Sequence, residues 1–145
     1  MGQIVLLTHL AATLVMVGVI WFVQVVHYPL FERVGKAGFS AYSAAHSYLT
    51  GLVVGPPMLL ETATALALLF VRPAGVPAVL VWAGLALLAL VWFSTGLLQV
   101  PRHRALGLGF DALDHRSLVL SNWVRTGAWS VRGLLVLWMA ALAMV

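Results

Sequence analysis

The chain has 145 residues, of which 63% are hydrophobic and only 8% charged, and it contains no cysteine. A soluble domain usually carries roughly 25% charged residues, so an ordinary soluble fold is excluded, as are disulfides, thiolate metal ligands and a cysteine nucleophile. The formal charge of +4 comes from dispersed arginines rather than a basic stretch, which argues for a lipid bilayer as partner and against nucleic acid.

Four apolar runs cover 4–26, 49–71, 78–100 and 127–145, the last within an expected span of 124–145. Runs above roughly 18 residues mark spanning-helix candidates. No run alternates with period two, which excludes a barrel, and lipid leaves helices as the spanning structure. The expected fold is all-α: one domain, 1–145, forming an integral membrane four-helix bundle. The first run has no basic residue before it and no small-residue cleavage site after it, so it reads as a helix rather than a signal peptide. Helix 1 is expected to stop at His27-Tyr28-Pro29. Helix 2 starts near Gly38-Phe39 and continues through Val71, with Gly55-Pro56-Pro57 inside it. Proline there removes backbone donors and kinks the helix or frees carbonyls. The turn 72–77 is short, which makes helices 2 and 3 antiparallel neighbours. Helix 3 is expected to end at Gln99-Val100-Pro101. Helix 4 starts near Asp111, where Asp111 and Asp114 favour an N-terminal dipole.

Charge sets the expected orientation. Arg33 and Lys36 fall between helices 1 and 2, and Arg102, Arg104 and Arg116 between helices 3 and 4, whereas the opposite side has Arg72 alone. Basic residues favour the cytoplasm. In a bacterial plasma membrane both termini are then outside and both longer loops cytoplasmic. The halves also resemble each other, giving an expected two-fold repeat of helix pairs 1-2 and 3-4. Gln24-Val25, Pro29, Gly38-Phe39 and His46 are echoed by Gln99-Val100, Pro101, Gly109-Phe110 and His115.

Helical spacing sorts the polar residues into stripes: His9, Thr13, Gln24 and His27; His46, Thr50, Pro57 and Glu61; Trp92, Thr95 and Gln99; Asn122, Arg125, Trp129 and Arg132. Lipid cannot satisfy such groups, so the stripes turn inward. Glu61 is the only charge in its run and Arg132 lies at similar depth. A charge at bilayer depth faces the interior and takes a partner. The two are expected to meet directly, through His9, or through a water or ligand.

Toward the expected cytoplasmic end gather Gln24, His27, Tyr28, His46, Gln99, His103, His115, Asn122 and Arg125. Imidazoles bind metals and move protons near neutral pH. A metal ion or haem on His27, His46 and His103 is one reading; proton transfer without a cofactor is the other. His115, beside Asp114, is expected to be solvated. Trp82 and Trp138 read as lipid-facing, whereas Trp21, Trp92, Trp123 and Trp129 fall near the polar stripes and either line a pocket or pack the core.

Pro101, His103 and Leu106, followed by Asn122 and Arg125 in an Asn-x-x-Arg motif, resemble the anthrone-oxygenase-like small four-helix membrane proteins and their bacterial relatives. That group ends helix 3 with a proline, a polar residue and a leucine. It usually has asparagine where this chain has His103. The resemblance implies oxygen-dependent oxidation of a polycyclic phenol, in some members without a metal.

These residues support three functional readings. In the first, an oxidoreductase, oxygenase or binding protein takes a lipophilic aromatic or quinone-like molecule among Trp21, Trp92, Trp123 and Trp129. Gln24, Tyr28, Gln99, Asn122 and Arg125 contact it, His27 or His46 moves a proton, and Glu61 with Arg132 fixes the deep end. In the second, the chain is a non-enzymatic accessory or assembly subunit, self-associated or within a larger membrane complex. In the third, a proton or ion path runs through Glu61 and His9.

Overall fold

The computed structural model describes residues 1–144. All regular structure among them is helical: α1 (Gly2–Phe22), α2 (Phe39–Val71), α3 (Ala78–Ser94), α4 (Val100–Leu108) and α5 (Ala112–Leu142). Two π-helical turns interrupt the rods. Val23–His27 extends α1 into a short 3-10 turn at Pro29–Arg33, and Thr95–Gln99 joins α3 to α4.

The expected stop at His27-Tyr28-Pro29 is a change to 3-10 geometry, with the rod continuing to Arg33, and Pro101 does not end the third rod either. It sits in the first turn of α4 and the rod continues to Leu108. Proline is tolerated in a first turn, where its missing N–H costs little. The π turn immediately before it has already shifted the hydrogen-bond ladder. Pro56 and Pro57 lie within α2, which continues unbroken through them. Asp111 caps α5: its carboxylate accepts from the backbone N–H of Leu113 and Asp114, each at 2.9 Å.

The rods lie side by side. α1 packs on α2 and α5, and α3 packs on the same two helices. Three rods, Gly2–Arg33, Lys36–Val71 and Ala78–Leu108, are long and apolar enough to cross a membrane. The fourth apolar run belongs to α5, whose 31 residues give ample length. It falls short in hydropathy because Arg125, Arg132, Asn122 and several hydroxyls ride on its inner face.

Three buried apolar clusters stack along the bundle. Leu6, Leu68, Val76, Leu80, Val81, Val136 and Met139 close the end that carries the chain termini. Met16, Ile20, Met58, Val91, Ala128 and Trp129 occupy the middle. Tyr28, Phe31, Phe39, Leu106 and Leu118 close the loop end with Val23. The outer surface is itself apolar, with Leu7, Phe70, Phe93, Leu97 and Trp138 among its exposed side chains. Polar groups inside and large apolar groups outside invert the order of a soluble protein.

Candidate functional site

The polar interior has two parts, separated by Trp129. The deeper part is built around Glu61 and Arg132, both with no accessible surface. Arg132 approaches Glu61 Oε1 through Nε at 3.0 Å and a terminal nitrogen at 2.9 Å. Thr13 donates to the same oxygen at 2.8 Å, and the Trp129 indole N–H donates to Oε2 at 3.0 Å. The remaining guanidinium nitrogen donates to the Gly84 carbonyl. Thr64 Oγ1 donates to the Leu60 carbonyl at 2.7 Å, so it accepts from His9 Nδ1 at 2.8 Å. That assignment leaves His9 Nε2 with a lone pair, which faces an Arg132 nitrogen at 3.2 Å. Every polar side-chain atom of this part has a partner. The network is closed on itself, which is the condition for tolerating a buried ion pair whose desolvation offsets much of its attraction.

The second part surrounds a cavity of about 380 Å³ on the loop side of Trp129. Its apolar wall comes from Met16, Val19, Ile20, Val23 and Val54, and its polar end from Tyr28, His46, Gln99, His103 and Arg125. Arg104 also borders it. The π turns aim both glutamines inward. Gln24, buried, takes Asn122 Nδ2 on its Oε1 at 2.9 Å and donates to the Val119 carbonyl at 3.2 Å. Asn122 Oδ1 accepts from Arg125 at 3.3 Å. Gln99 donates to Ser121 Oγ at 2.8 Å. His103 Nε2 meets the Tyr28 hydroxyl at 2.9 Å, and its ring centroid lies 5.3 Å from that of His46.

In contrast to the deeper part, this one is incomplete. Gln99 Oε1, His103 Nδ1 and Arg125 Nε are buried without a hydrogen-bond partner. All three residues line the cavity. A buried unpaired polar group costs about 1–3 kcal/mol, so three around one cavity form a feature that packing does not explain. Gly51 also lines the cavity, and a Cβ there would meet nothing within 4 Å. A side chain placed there has room to occupy the cavity. A neighbouring groove between α1 and α2, lined by Gly18, Phe22, Leu49 and Val53, shares Val19, Val23, Thr50 and Val54 with the cavity. The cavity thus borders the apolar outside of the bundle.

The expected tryptophan-lined pocket does not form. Trp21, Trp92 and Trp123 are 43%, 40% and 49% exposed, and none lines the cavity. Their indoles bridge helices at the surface, Trp21 to Ser130 and Trp92 to Thr62, while Trp123 packs edge-on against Trp21. Only Trp129 is fully buried. The reason is register: Trp123 lies two positions before Arg125 and takes the opposite face of α5. His115 is not solvated as its polar neighbours suggest. It is buried, donating from Nε2 to the Tyr28 carbonyl at 2.8 Å, with Nδ1 3.2 Å from Glu32.

His27, His46 and His103 do converge, with His27 Nε2 2.7 Å from His46 Nδ1. No group of three or more His, Asp or Glu side chains among the described residues is arranged to hold a metal ion. His27 lies on the groove side and does not line the cavity. Glu61 lies beneath Trp129, likewise out of the cavity wall. Thr64, Ser47 and Gly51 carry no charge or ring to mark them in the sequence, although Thr64 follows Glu61 by about one turn, and Ser47 and Gly51 are themselves about one turn apart. No protein-family model, curated protein or solved structure matches the chain.

Proposed function

We propose that this chain is a small integral membrane protein, a four-helix bundle, that binds a lipophilic, oxygen-bearing molecule in the cavity at the loop end. The observation that carries this reading is that three residues at the polar end of the cavity, Gln99, His103 and Arg125, each hold a buried polar atom without a partner. Pockets of about 300–1,000 Å³ with few, convergent polar groups are the usual form of small-molecule sites. Aromatic, phenolic or quinone-like molecules fit the chemistry. The ring faces Met16, Ile20 and Val54, and its oxygens reach Gln99, His103 and Arg125. The resemblance to anthrone-oxygenase-like proteins points the same way, since His103 and Arg125 line the cavity and Asn122 holds Arg125.

If the chain is an oxidoreductase or oxygenase, His46 and His103 are the groups positioned to exchange a proton with bound ligand, and His27 supports His46 from behind. Glu61 and Arg132 then hold the helices beneath the site. An accessory or assembly subunit is the second reading, favoured by the closed deep network. The ion-path reading is disfavoured by the apolar cluster beyond His9, where the void is only about 10 Å³.

The test uses the full chain in neutral detergent. 2-Naphthol and 1,4-naphthoquinone are expected to raise its melting temperature, and Gly51→Leu, which fills the cavity without backbone clash, to abolish the shift. Equal shifts in both proteins, or none in either, would overturn the reading. Oxygen uptake with bound 2-naphthol separates an oxygenase from a binding protein, and an absorption spectrum with metal analysis reads out haem or metal.

The helix order around the bundle, α1–α2–α3–α5, supports the two-fold repeat, as does a π turn carrying a glutamine in each half. Arg33, Lys36, Arg102, Arg104 and Arg116 all belong to the loop end, which by the basic-residue rule is cytoplasmic. Tags on either terminus are expected to report outside. Cytoplasmic labelling would reverse the topology and move the cavity to the outer leaflet.

A further inference from the structure

We infer that the molecule bound in the cavity is an anion, a lipophilic carboxylate in chemical class, whose charge is the counter-ion of Arg125. This rests on the cavity being a ligand site and adds what the ligand must carry. Arg125 is buried, lines the cavity and has an unpartnered Nε. Its other partners are the Asn122 amide oxygen at 3.3 Å, the Trp129 ring, whose centroid is 5.2 Å away, and the Tyr28 hydroxyl beside it. All three are favourable, yet none is a carboxylate or other fixed anion.

No acidic side chain among the described residues supplies the missing charge. The chain has four acidic side chains. Glu61 pairs with Arg132 and Asp114 with Arg102, while Glu32 contacts His115. Asp111 caps α5. None of them pairs with Arg125. The two buried arginines of α5 therefore differ: Arg132 has a carboxylate from its own chain and Arg125 faces a cavity. A guanidinium binds a planar carboxylate through parallel N–H bonds. The neighbouring acceptor is also specified. Ser121 Oγ donates to the Ser117 carbonyl at 2.7 Å and so accepts from Gln99 Nε2, leaving Gln99 Oε1 turned free. An anion bearing a nearby hydroxyl answers both groups, and the apolar wall takes its body.

The experiment compares 2-naphthoate with its neutral isostere 2-naphthamide by titration calorimetry on the full chain in maltoside. Naphthoate is expected to bind at least tenfold more tightly. Arg125→Met should remove that preference while raising the melting temperature of the ligand-free protein, because an uncompensated buried charge has gone. A merely structural arginine would give the opposite temperature shift. Arg125→Lys should retain part of the preference, which covers failure of the Met variant to fold. Equal binding of acid and amide would overturn the anion and leave the cavity reading intact. Binding of neither, or naphthoate binding that survives Gly51→Leu, would overturn both. Displacement of naphthoate by phosphatidylglycerol but not by zwitterionic phosphatidylcholine would assign the site to an anionic lipid headgroup and overturn the carboxylate.

Discussion

Glu61→Gln and Arg132→Met are each expected to cost about 3–5 kcal/mol of stability, the usual penalty for stranding one member of a buried ion pair. The double variant should recover part of the combined loss. The geometry gives each single change its cause. Glu61→Gln removes the counter-charge of Arg132 and, with its oxygen kept toward Thr13 and Arg132, turns an amide N–H toward the Trp129 indole N–H. Arg132→Met leaves the carboxylate with Thr13 and Trp129 alone, and strips partners from the Gly84 carbonyl and His9 Nε2. In the double variant no charge remains at this depth. Denaturation of the four proteins in detergent, closed as a double-mutant cycle, measures the coupling. Strictly additive losses would mean that the two charges do not stabilise one another.

That pair was legible in the sequence because a lone charge in an apolar run has few ways to exist. Glu61 and Arg132 are each isolated in such a run, and the depth argument brings them together before any packing is known. The inward stripes were legible for the same reason, and Gln24, His46, Gln99, Asn122 and Arg125 all turn inside. Spacing could not supply the register on the far side of each helix. Tryptophan is apolar in body and polar at one nitrogen, so it satisfies either the lipid face or the core. Trp21, Trp92 and Trp123 went outward while Trp129 went in. The two π turns were equally invisible. Each adds a residue to a turn and rotates the helix beyond it, and no single residue signals it. For that reason Pro101 read as a helix stop although the rod runs on to Leu108. His115 read as solvated because its sequence neighbours are polar. The bundle instead folds the 3-10 segment back over it, so that Tyr28 offers its carbonyl. The cavity is space between side chains of α1, α2, α4 and α5, which spacing along one helix does not reveal.

Trp129 joins the two parts of the interior, and its replacements should separate them. Its indole N–H donates to Glu61 on one side, and its ring lies under the Arg125 guanidinium on the other. Trp129→Ala removes the largest fully buried side chain in the protein, and losses of about 3–5 kcal/mol are usual for such truncations. It also takes away the floor on which Arg125 rests, so affinity for 2-naphthoate should fall along with stability. Trp129→Phe keeps an aromatic face for Arg125 but leaves Glu61 Oε2 without its donor. A stranded buried acceptor costs about 1–3 kcal/mol, more for a charged group. The phenylalanine variant is therefore expected to be less stable yet to bind naphthoate within about threefold of wild type, a difference below 1 kcal/mol. Thermal melts and calorimetry on the two variants check both halves. If Trp129→Phe lost naphthoate binding as fully as Trp129→Ala, the deep network would be part of the binding site, and the assignment of Glu61 and Arg132 to holding the bundle would fail.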